Sequence, residues 1–270
     1  MFRSTRTYYA WVSFVVIAAV VLSTAPATAE LILYKDTFSR GTSDEPLVLP
    51  SSVPEVVVAD YGVPADATWK GNTFWRTDGS VVNGNAPTAA GYGSCVGLPF
   101  VPQNGHVYTF SATVNCTASY SSTEWIGMGF TTNMDTNYVN LQTLGTYGWA
   151  LFRLSTSQYE NQAFKGAGTV SGTNIGTETG STQVSLVLDT NPALWTVEWI
   201  VNGTTRRAAT ALGAASNPNI KYVSFGLCTK TQGYVDNVRL SVDVVPEPST
   251  LALLAGGLVG LLAYAWRRRK

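Results

Sequence analysis

Histidine, cysteine and charged residues are scarce in this chain of 270 residues. It has one histidine, His106, and three cysteines, and Asp, Glu, Lys and Arg together make up 13% of the sequence. One histidine cannot supply a histidine-rich zinc site, and no Ser/His/Asp or Cys/His nucleophile system can be assembled around it. No segment carries acids spaced E-x-D-x-x-E, which would place paired carboxylates on one strand face. These absences predict a protein that is not an enzyme and has no metal centre, with His106 an ordinary surface residue.

The charges that are present divide unevenly along the chain. Lys plus Arg and Asp plus Glu each number 17. Six of the basic residues and none of the acidic ones lie in 1–29 and 267–270. Without those six, the rest of the chain has 11 basic and 17 acidic residues, a net charge of −6. A negative body argues against a nucleic acid or an anionic surface as the partner.

Residues 1–29 have the three parts of a secretory signal peptide. A short basic start is followed by an uncharged apolar stretch over 11–22 and by Ala27-Thr28-Ala29, a small-x-small cleavage site. The predicted cut lies between Ala29 and Glu30. An uncleaved membrane helix is the alternative, but the apolar stretch is too short for that to be preferred.

The tail also has three parts in fixed order. Pro246-Glu247-Pro248 is followed by an uncharged apolar run over 251–266 and by a basic cluster at 267–270. At about 1.5 Å per residue the run would form a helix of roughly 24 Å, slightly short of a hydrocarbon core of about 30 Å. The sequence therefore predicts a transmembrane helix over 251–266 that spans with local thinning, with the basic cluster on the cytoplasmic side. The two prolines keep the segment before the helix extended and accessible.

This layout resembles the PEP-CTERM sorting signal of Gram-negative bacteria that make exopolysaccharide. The resemblance covers the tail alone, residues 244–270. It implies that the inner membrane is a transient anchor, that an exosortase cuts near Pro246-Glu247-Pro248, and that the body then passes to the cell surface or extracellular matrix. An ordinary C-terminal membrane anchor is the alternative.

Residues 30–243 are predicted to form one all-β domain. Short alternating apolar runs recur between turn residues, and no stretch sustains a 3.6-residue period. The clearest runs are 107–116, 125–130, 147–154, 183–188, 195–201, 222–228 and 234–242. Asn202-Gly203 between two extended runs is the strongest hairpin signal. Many antiparallel strands around one core predict two packed sheets, an antiparallel β-sandwich.

Three segments of the body resemble concanavalin A-like, or laminin G-like, jelly-roll domains. They are the opening Asp36-Thr37-Phe38-Ser39-Arg40, the hairpin segment WTVEWIVNGTTRR at 195–207 and the exit GYVDNVRL at 233–240. The resemblance implies a jelly-roll sandwich whose last strand packs beside its first. Another jelly-roll or carbohydrate-binding sandwich is the alternative.

Two tryptophans are candidates for stacking on sugar rings. Trp69 and Trp75 flank a polar loop, and sugars stack on exposed aromatic faces. Trp125, Trp195 and Trp199 lie in apolar runs and are expected in the core.

The three cysteines enter an oxidising space if the chain is exported, so one disulfide is expected. Cys116 and Cys228 both lie in predicted strands and are the candidate pair. Cys95, in the predicted glycine-rich loop Gly91-Tyr92-Gly93-Ser94-Cys95, is then the remaining thiol. The alternative is that all three are reduced and buried. A structural calcium ion on Asp36 or Asp236 has no D-x-D-x-D-G array to support it, and a structural salt link or a turn cap is preferred.

The sequence thus predicts a bacterial, exported, exosortase-sorted protein of the cell surface or extracellular matrix. It is expected to be non-enzymatic, with extracellular polysaccharide as the candidate partner. The alternative is a glycan-active enzyme, a glycoside hydrolase or a lyase, on a jelly-roll scaffold. Glu198, an isolated strand acid, is expected to face solvent rather than to catalyse.

Overall fold

The computed structural model describes residues 29–39, 45–47, 52–78, 81–85, 93–118, 124–134, 140–154, 160–166, 172–178, 180–213, 216–228, 231–244 and 248–268. Ala27, Pro246 and Glu247 lie outside these ranges, as does the predicted signal peptide up to residue 28. The chain divides into two compact units. One unit is Leu31–Val242, and the other joins Met1–Glu30 with Asp243–Lys270.

The unit Leu31–Val242 is built from two antiparallel β-sheets. The ten-stranded sheet comprises β1 (Ala29–Asp36), β2 (Glu45–Pro46), β3 (Val56–Val57), β5 (Trp75–Thr77), β6 (Val82–Asn85), β8 (Val107–Ala118), β13 (Thr182–Asp189), β14 (Thr196–Val201), β15 (Thr204–Ala211) and β17 (Gln232–Val244). The seven-stranded sheet comprises β4 (Lys70–Gly71), β7 (Gly93–Pro99), β9 (Trp125–Thr131), β10 (Thr146–Phe152), β11 (Asn161–Phe164), β12 (Thr173–Gly176) and β16 (Tyr222–Cys228). Each run predicted from the sequence falls on one of these strands.

Strand order explains two of the sequence signals. The ten-stranded sheet runs β15-β14-β13-β8-β17-β6-β5-β2, and β1 pairs with β17 and with β3. The expectation that the last strand of the body lies beside the first is therefore confirmed. Asn202 and Gly203 join β14 to β15 with φ of 50° and 74°. A type I′ hairpin turn needs two left-handed residues in succession, and Asn-Gly supplies them at little cost.

Aromatic contacts show that the two sheets pack face to face. The rings of Phe110 in β8 and Phe130 in β9 lie 6.1 Å apart, and Trp75 in β5 meets Phe225 in β16 edge-on at 4.7 Å. Along β8, buried Phe110, Ala112 and Val114 alternate with half-exposed residues, as period-2 strand geometry requires. The predicted all-β antiparallel sandwich is confirmed.

The seven-stranded sheet is unusual because it is buried on both faces. All seven residues of β9 are buried. Its outer face is covered by the β9–β10 connection, of which the structure describes 132–134 and 140–145. A 3-10 turn, Leu141–Leu144, begins at Asn140, whose side chain accepts the N–H of Thr143, and ends at Gly145 with φ of 67°. Leu141 and Leu144 pack onto the sheet.

Glycines let this cover lie close to the strands beneath it. A Cβ at Gly93 would lie 2.6 Å from the Asn140 Cα, and one at Gly226 would lie 3.1 Å from the Leu141 side chain. Distances this short leave no room for a side chain. The segment Gly93-Ser94-Cys95 is therefore a strand that the cover approaches, not the glycine-rich loop that the sequence indicates.

The predicted Cys116–Cys228 disulfide is wrong for this fold. Cys116 lies on the inward face of β8, two residues along the strand from Val114. Cys228 lies on the outer face of β16, in the cluster beneath the cover. The seven-stranded sheet separates the two side chains. All three described cysteines are buried as thiols.

The tail contains a helix, α1 (Pro248–Arg268), over the apolar run that the sequence singles out. Several of its apolar side chains are exposed, among them Leu254 at 70% and Leu261 at 69%. Within the residues that the structure describes, we find no helix that combines the length and apolar character needed to cross a membrane.

Candidate functional site

The predicted sugar-stacking tryptophans do not form a surface. Trp69 and Trp75 are 2% and 0% exposed. The Trp69 Nε1–H donates to Asp36 Oδ2 over 2.9 Å, and the Trp75 Nε1–H donates to the Ser94 carbonyl over 3.2 Å. The polar residues that suggest exposure belong to the loop between the two tryptophans. Both indole rings point inward, and their N–H groups donate to acceptors inside the sandwich. The prediction of an exposed platform at these residues is wrong. The core placement of Trp125, Trp195 and Trp199 is confirmed.

Asp36 gives the opening motif its structural meaning. Its carboxylate is fully buried, and Oδ1 accepts the N–H of Phe38 over 3.0 Å. This bond holds Phe38 at φ of 52°, a left-handed conformation that is rare for a bulky residue. The Phe38 ring then packs against Trp69 at 5.8 Å. The D-x-F sequence is thus a turn that directs an aromatic ring into the core.

Four carboxylates lie around this turn, and we call them the acidic group: Asp36, Glu55, Asp78 and Asp236. Burial raises the pKa of Asp236, the Asn237 N–H opposes that shift, and the charges of the other three raise it further. Burial also acts to raise the pKa of Glu55, but hydrogen bonds from Thr37 and Ser39 outweigh it and leave that pKa lowered. Carboxylates with pKa values moved apart are a known feature of acid–base sites.

The oxygens of the acidic group are engaged in holding turns. Glu55 Oε1 accepts the Thr37 hydroxyl at 2.5 Å and the Ser39 hydroxyl at 3.0 Å. Asp236 accepts both the N–H and the Nδ2 of Asn237, a bulge residue with φ of 52°. Across the described ranges, no three His, Cys, Asp or Glu side chains are placed to hold a metal ion. Of the two roles preferred from the sequence, a salt link or a turn cap, these contacts show the turn cap for both aspartates.

His106 is half-buried rather than an ordinary surface residue. Its ring meets Tyr61 edge-on at 5.0 Å and Tyr108 at 6.0 Å. Burial raises the pKa of Tyr108 to about 12, despite the Gln103 N–H that donates to its hydroxyl. The histidine thus packs in an aromatic corner. Glu198 is half-exposed on the outer side of β14, where its Oε1 accepts the Thr205 hydroxyl over 2.6 Å.

The outer face of the ten-stranded sheet is mostly polar and partly exposed, with Val187 and Ile200 among its aliphatic residues. Small hydroxyl side chains point away from the core on four neighbouring strands, β8, β13, β14 and β15. We call this surface the hydroxyl face, and it comprises Thr109, Ser111, Thr113, Ser185, Thr196 and Thr205. Ser111 lies directly opposite Ser185 in register. Period-2 alternation with buried residues predicts such a face in outline, but the strand order that assembles it cannot be deduced from the sequence.

The outer face of the seven-stranded sheet has the opposite character. Trp125, Trp149 and Phe164 form a row of rings 5.4 Å and 4.2 Å apart, with Trp149 stacked on Phe164. All three are 6% exposed or less, and Cys95 and Cys228 belong to the same buried cluster. This row is filled core under the cover. The sequence gives no signal for it, because its members are distant along the chain.

The tail completes the candidate functional features. The large apolar side chains of α1 that the structure describes are exposed, and Arg268 lies over the Tyr264 ring at 5.4 Å. Residues 244–270 match the family model described as the PEP-CTERM protein-sorting motif. The tail is a PEP-CTERM motif. The predicted motif residues Pro246, Glu247 and Pro248 fall inside the matched range. A PEP-CTERM motif indicates an exported protein that is sorted to the cell surface.

The body is similar to several solved structures, at low identity. An endo-1,3-β-glucanase from Streptomyces sioyaensis has 13% identity and a TM-score of 0.49, over 83% of this chain and all of that one. A protein of unknown function with a galectin-like fold from Bacillus subtilis has 10% identity and 0.48, over 81% and 100%. An alginate lyase has 12% identity and 0.44, over 81% and 99%. Similarity at this level carries no conclusion about activity or ligand. No curated protein matches this chain.

Proposed function

We propose that this protein is an exported component of the bacterial cell surface or extracellular matrix, released by an exosortase-type enzyme that cuts near Pro246-Glu247-Pro248. The N-terminal signal peptide directs export, and the tail holds the chain briefly at the inner membrane. The body is a non-enzymatic sandwich of the concanavalin A-like jelly-roll type. The PEP-CTERM match over 244–270 is the observation that carries this proposal.

The exposed apolar side chains of α1 support a tail that contacts lipid or a partner surface. Apolar residues exposed in a contiguous stretch favour lipid or a partner surface over water. Leu254, Leu261 and Trp266 are each close to 70% exposed. Arg267 and Arg268 follow them, and cations at this position favour the cytoplasmic side of a membrane.

Replacing Glu247 with Ala tests the sorting step. The variant is expressed as the full chain in a host that carries the processing enzyme, and membrane and matrix fractions are compared. We expect the uncut precursor to accumulate in the membrane fraction and release to fall at least tenfold. Glu160→Ala, which removes an exposed acid within the sandwich domain, is the matched control and should be released normally. Wild-type release of Glu247→Ala contradicts the proposal.

The hydroxyl face is the surface that best suits a polysaccharide partner for the body. With Trp69 and Trp75 buried, sugar contacts would come from hydrogen bonds rather than from those rings. Ser and Thr hydroxyls both donate and accept, which matches the hydroxyl groups of sugars. Short side chains also lose little rotamer entropy on binding.

A glycan array of the exported protein, followed by surface variants, tests this partner. Ser111→Leu and Ser185→Leu remove hydroxyls from the hydroxyl face without changing the charge. We expect binding of a recognised glycan to weaken at least tenfold in the pair, while Thr177→Leu, on an exposed loop elsewhere, binds like wild type. Unchanged binding by the double variant rules out this face. Absence of binding to every glycan leaves a structural surface component.

A glycan-active enzyme is the second candidate, and the acidic group is the observation that favours it. Asp236 and Glu55 have pKa values shifted in opposite directions, as an acid and a base would. Their oxygens are nevertheless engaged by turn hydrogen bonds. We expect no release of reducing ends from common polysaccharides. Release that disappears in both Asp236→Asn and Glu55→Gln would make the enzyme the better assignment.

A further inference from the structure

We propose that Cys95 and Cys228 form a disulfide in the exported protein, joining β7 to β16, and that Cys116 remains a thiol. This inference rests on the export proposed above, because disulfides persist in oxidising compartments. It replaces the Cys116–Cys228 pair that the sequence indicates.

The register of the two strands brings the pair together. In the β7–β16 pairing, Cys95 lies opposite Gly226, and Cys228 lies opposite Gly93. The cysteines are therefore diagonal neighbours on one face of adjacent strands. Diagonal residues have Cα atoms about 7–8 Å apart and Cβ atoms somewhat closer. A disulfide needs Cα atoms within about 6.8 Å, so closure requires an approach of roughly 1 Å.

The glycine between them supplies the room for that approach. The Cys95 Sγ lies 2.6 Å from the point that a Cβ at Gly226 would occupy, so the thiol already leans across onto β16. Cys228 follows two residues later on the same face of that strand. Both side chains belong to one buried cluster, and the nearby charge of Cys228 adds to burial in raising the pKa of Cys95. A side chain at position 226 would block this path.

Cys116 is excluded from the pair by its position. It lies on the inward face of the ten-stranded sheet, opposite Gly233, while the other two lie on the outer face of the seven-stranded sheet. An odd number of cysteines in an exported chain leaves one thiol, and deep burial keeps that thiol from exchange.

The oxidation proceeds by thiol–disulfide exchange with a protein disulfide of an oxidoreductase in the export compartment. One cysteine thiolate attacks that disulfide and forms a mixed disulfide, and the second displaces it. The Cys95–Cys228 bond forms, the oxidoreductase disulfide becomes two thiols, and two electrons and two protons pass to it. The exchange takes place before the cover buries the pair.

Disulfide mapping of the full chain, recovered from the matrix of its host, tests the proposal. Thiols are alkylated during lysis, and the protein is digested without reductant. Trypsin alone is insufficient, because Cys95 and Cys116 share the tryptic peptide 77–153, so chymotrypsin is added. We expect the Cys95 and Cys228 peptides to be joined and Cys116 to be alkylated after denaturation. Alkylation of all three, or any link to Cys116, overturns the proposal.

Cysteine variants, and oxidation of the refolded protein in vitro, test the disulfide separately from the proposed export. Reductant should lower the Tm of wild type and of Cys116→Ser, but not that of Cys95→Ser or Cys228→Ser. If a cysteine variant fails to fold, the wild-type map still decides. If the protein stays in the cytoplasm, the proposed export fails. The full chain is then refolded with oxidised glutathione, where a Cys95–Cys228 link supports the pairing and its absence rejects it.

Discussion

Replacing Phe225 with Ala probes the packing between the two sheets. Phe225 is fully buried and meets the rings of Trp75 at 4.7 Å and Trp69 at 5.4 Å, both edge-on. Truncating a buried Phe to Ala costs about 3–5 kcal/mol through lost burial and the cavity left behind. Each aromatic pair adds about 0.5–1.5 kcal/mol, which places this site at the upper end of that range.

The loss can be measured as a shift in the urea midpoint. The free energy of unfolding of a domain is about 5–15 kcal/mol, so the variant loses a large share of it. With an m-value of about 3 kcal/mol/M, a loss of about 4.5 kcal/mol lowers the midpoint by about 1.5 M. Tryptophan fluorescence follows unfolding, since Trp69 and Trp75 flank the site. Val101→Ala, at a side chain that is 54% exposed, is the control and should shift little. A midpoint for Phe225→Ala close to wild type would refute the assigned packing.

Three further changes test separate features by thermal unfolding. Gly129→Ala places a Cβ 2.3 Å from the Trp149 Cβ and should cost about 1–3 kcal/mol of stability. The control Gly166→Ala, whose new Cβ has its nearest atom at 3.9 Å, should be nearly neutral. Equal Tm values for the two variants would show that the sheet has room for a side chain at Gly129. The Ala side chain of Gly203→Ala meets no neighbour, but residue 203 must adopt φ of 74°, so we expect a loss of about 1 kcal/mol of stability from backbone strain alone. An unchanged Tm would show that the left-handed conformation assigned to this turn is wrong. Asp236 has a raised pKa in the folded protein, so its charge opposes folding above that pKa and ceases to do so as pH falls below the unfolded value of about 3.9. Asp236→Asn should therefore have a higher Tm than wild type at pH 7, and this Tm difference should shrink toward pH 4. A Tm difference that grows at low pH would contradict the assigned shift.

Strand positions follow from the sequence because period-2 alternation is a local property. The run 222–228 matches β16 at both ends, and Asn202-Gly203 marks the hairpin between β14 and β15. The strand β7 is missed because its glycines resemble a loop. Their actual function is to let the β9–β10 connection lie against the sheet, a contact between segments far apart in the chain.

The candidate site is predicted less well, for a related reason. Trp69 and Trp75 have polar neighbours in sequence, which suggests exposure. Their indole N–H groups find partners inside the sandwich, at Asp36 and at the Ser94 carbonyl, and only the fold brings those partners near. The PEP-CTERM motif is predicted correctly because it is contiguous in sequence, so no long-range contact has to be known. The prediction of the cysteine pair fails for the same reason as the prediction for the tryptophans. It depends on which face of which sheet each cysteine side chain lies on.

The pairing of β1 with β17 has a consequence for the timing of folding. These strands are separated by roughly 200 residues, and pairings so distant in sequence close late and slowly. If the chain crosses the membrane from its N-terminus, β1 waits without this neighbour until nearly all of the body has emerged. The strand that completes the sheet ends where the PEP-CTERM motif begins. On the function proposed above, folding of the body and presentation of the tail for cutting coincide, so a pause of the tail at the membrane would give the sandwich time to close before its release.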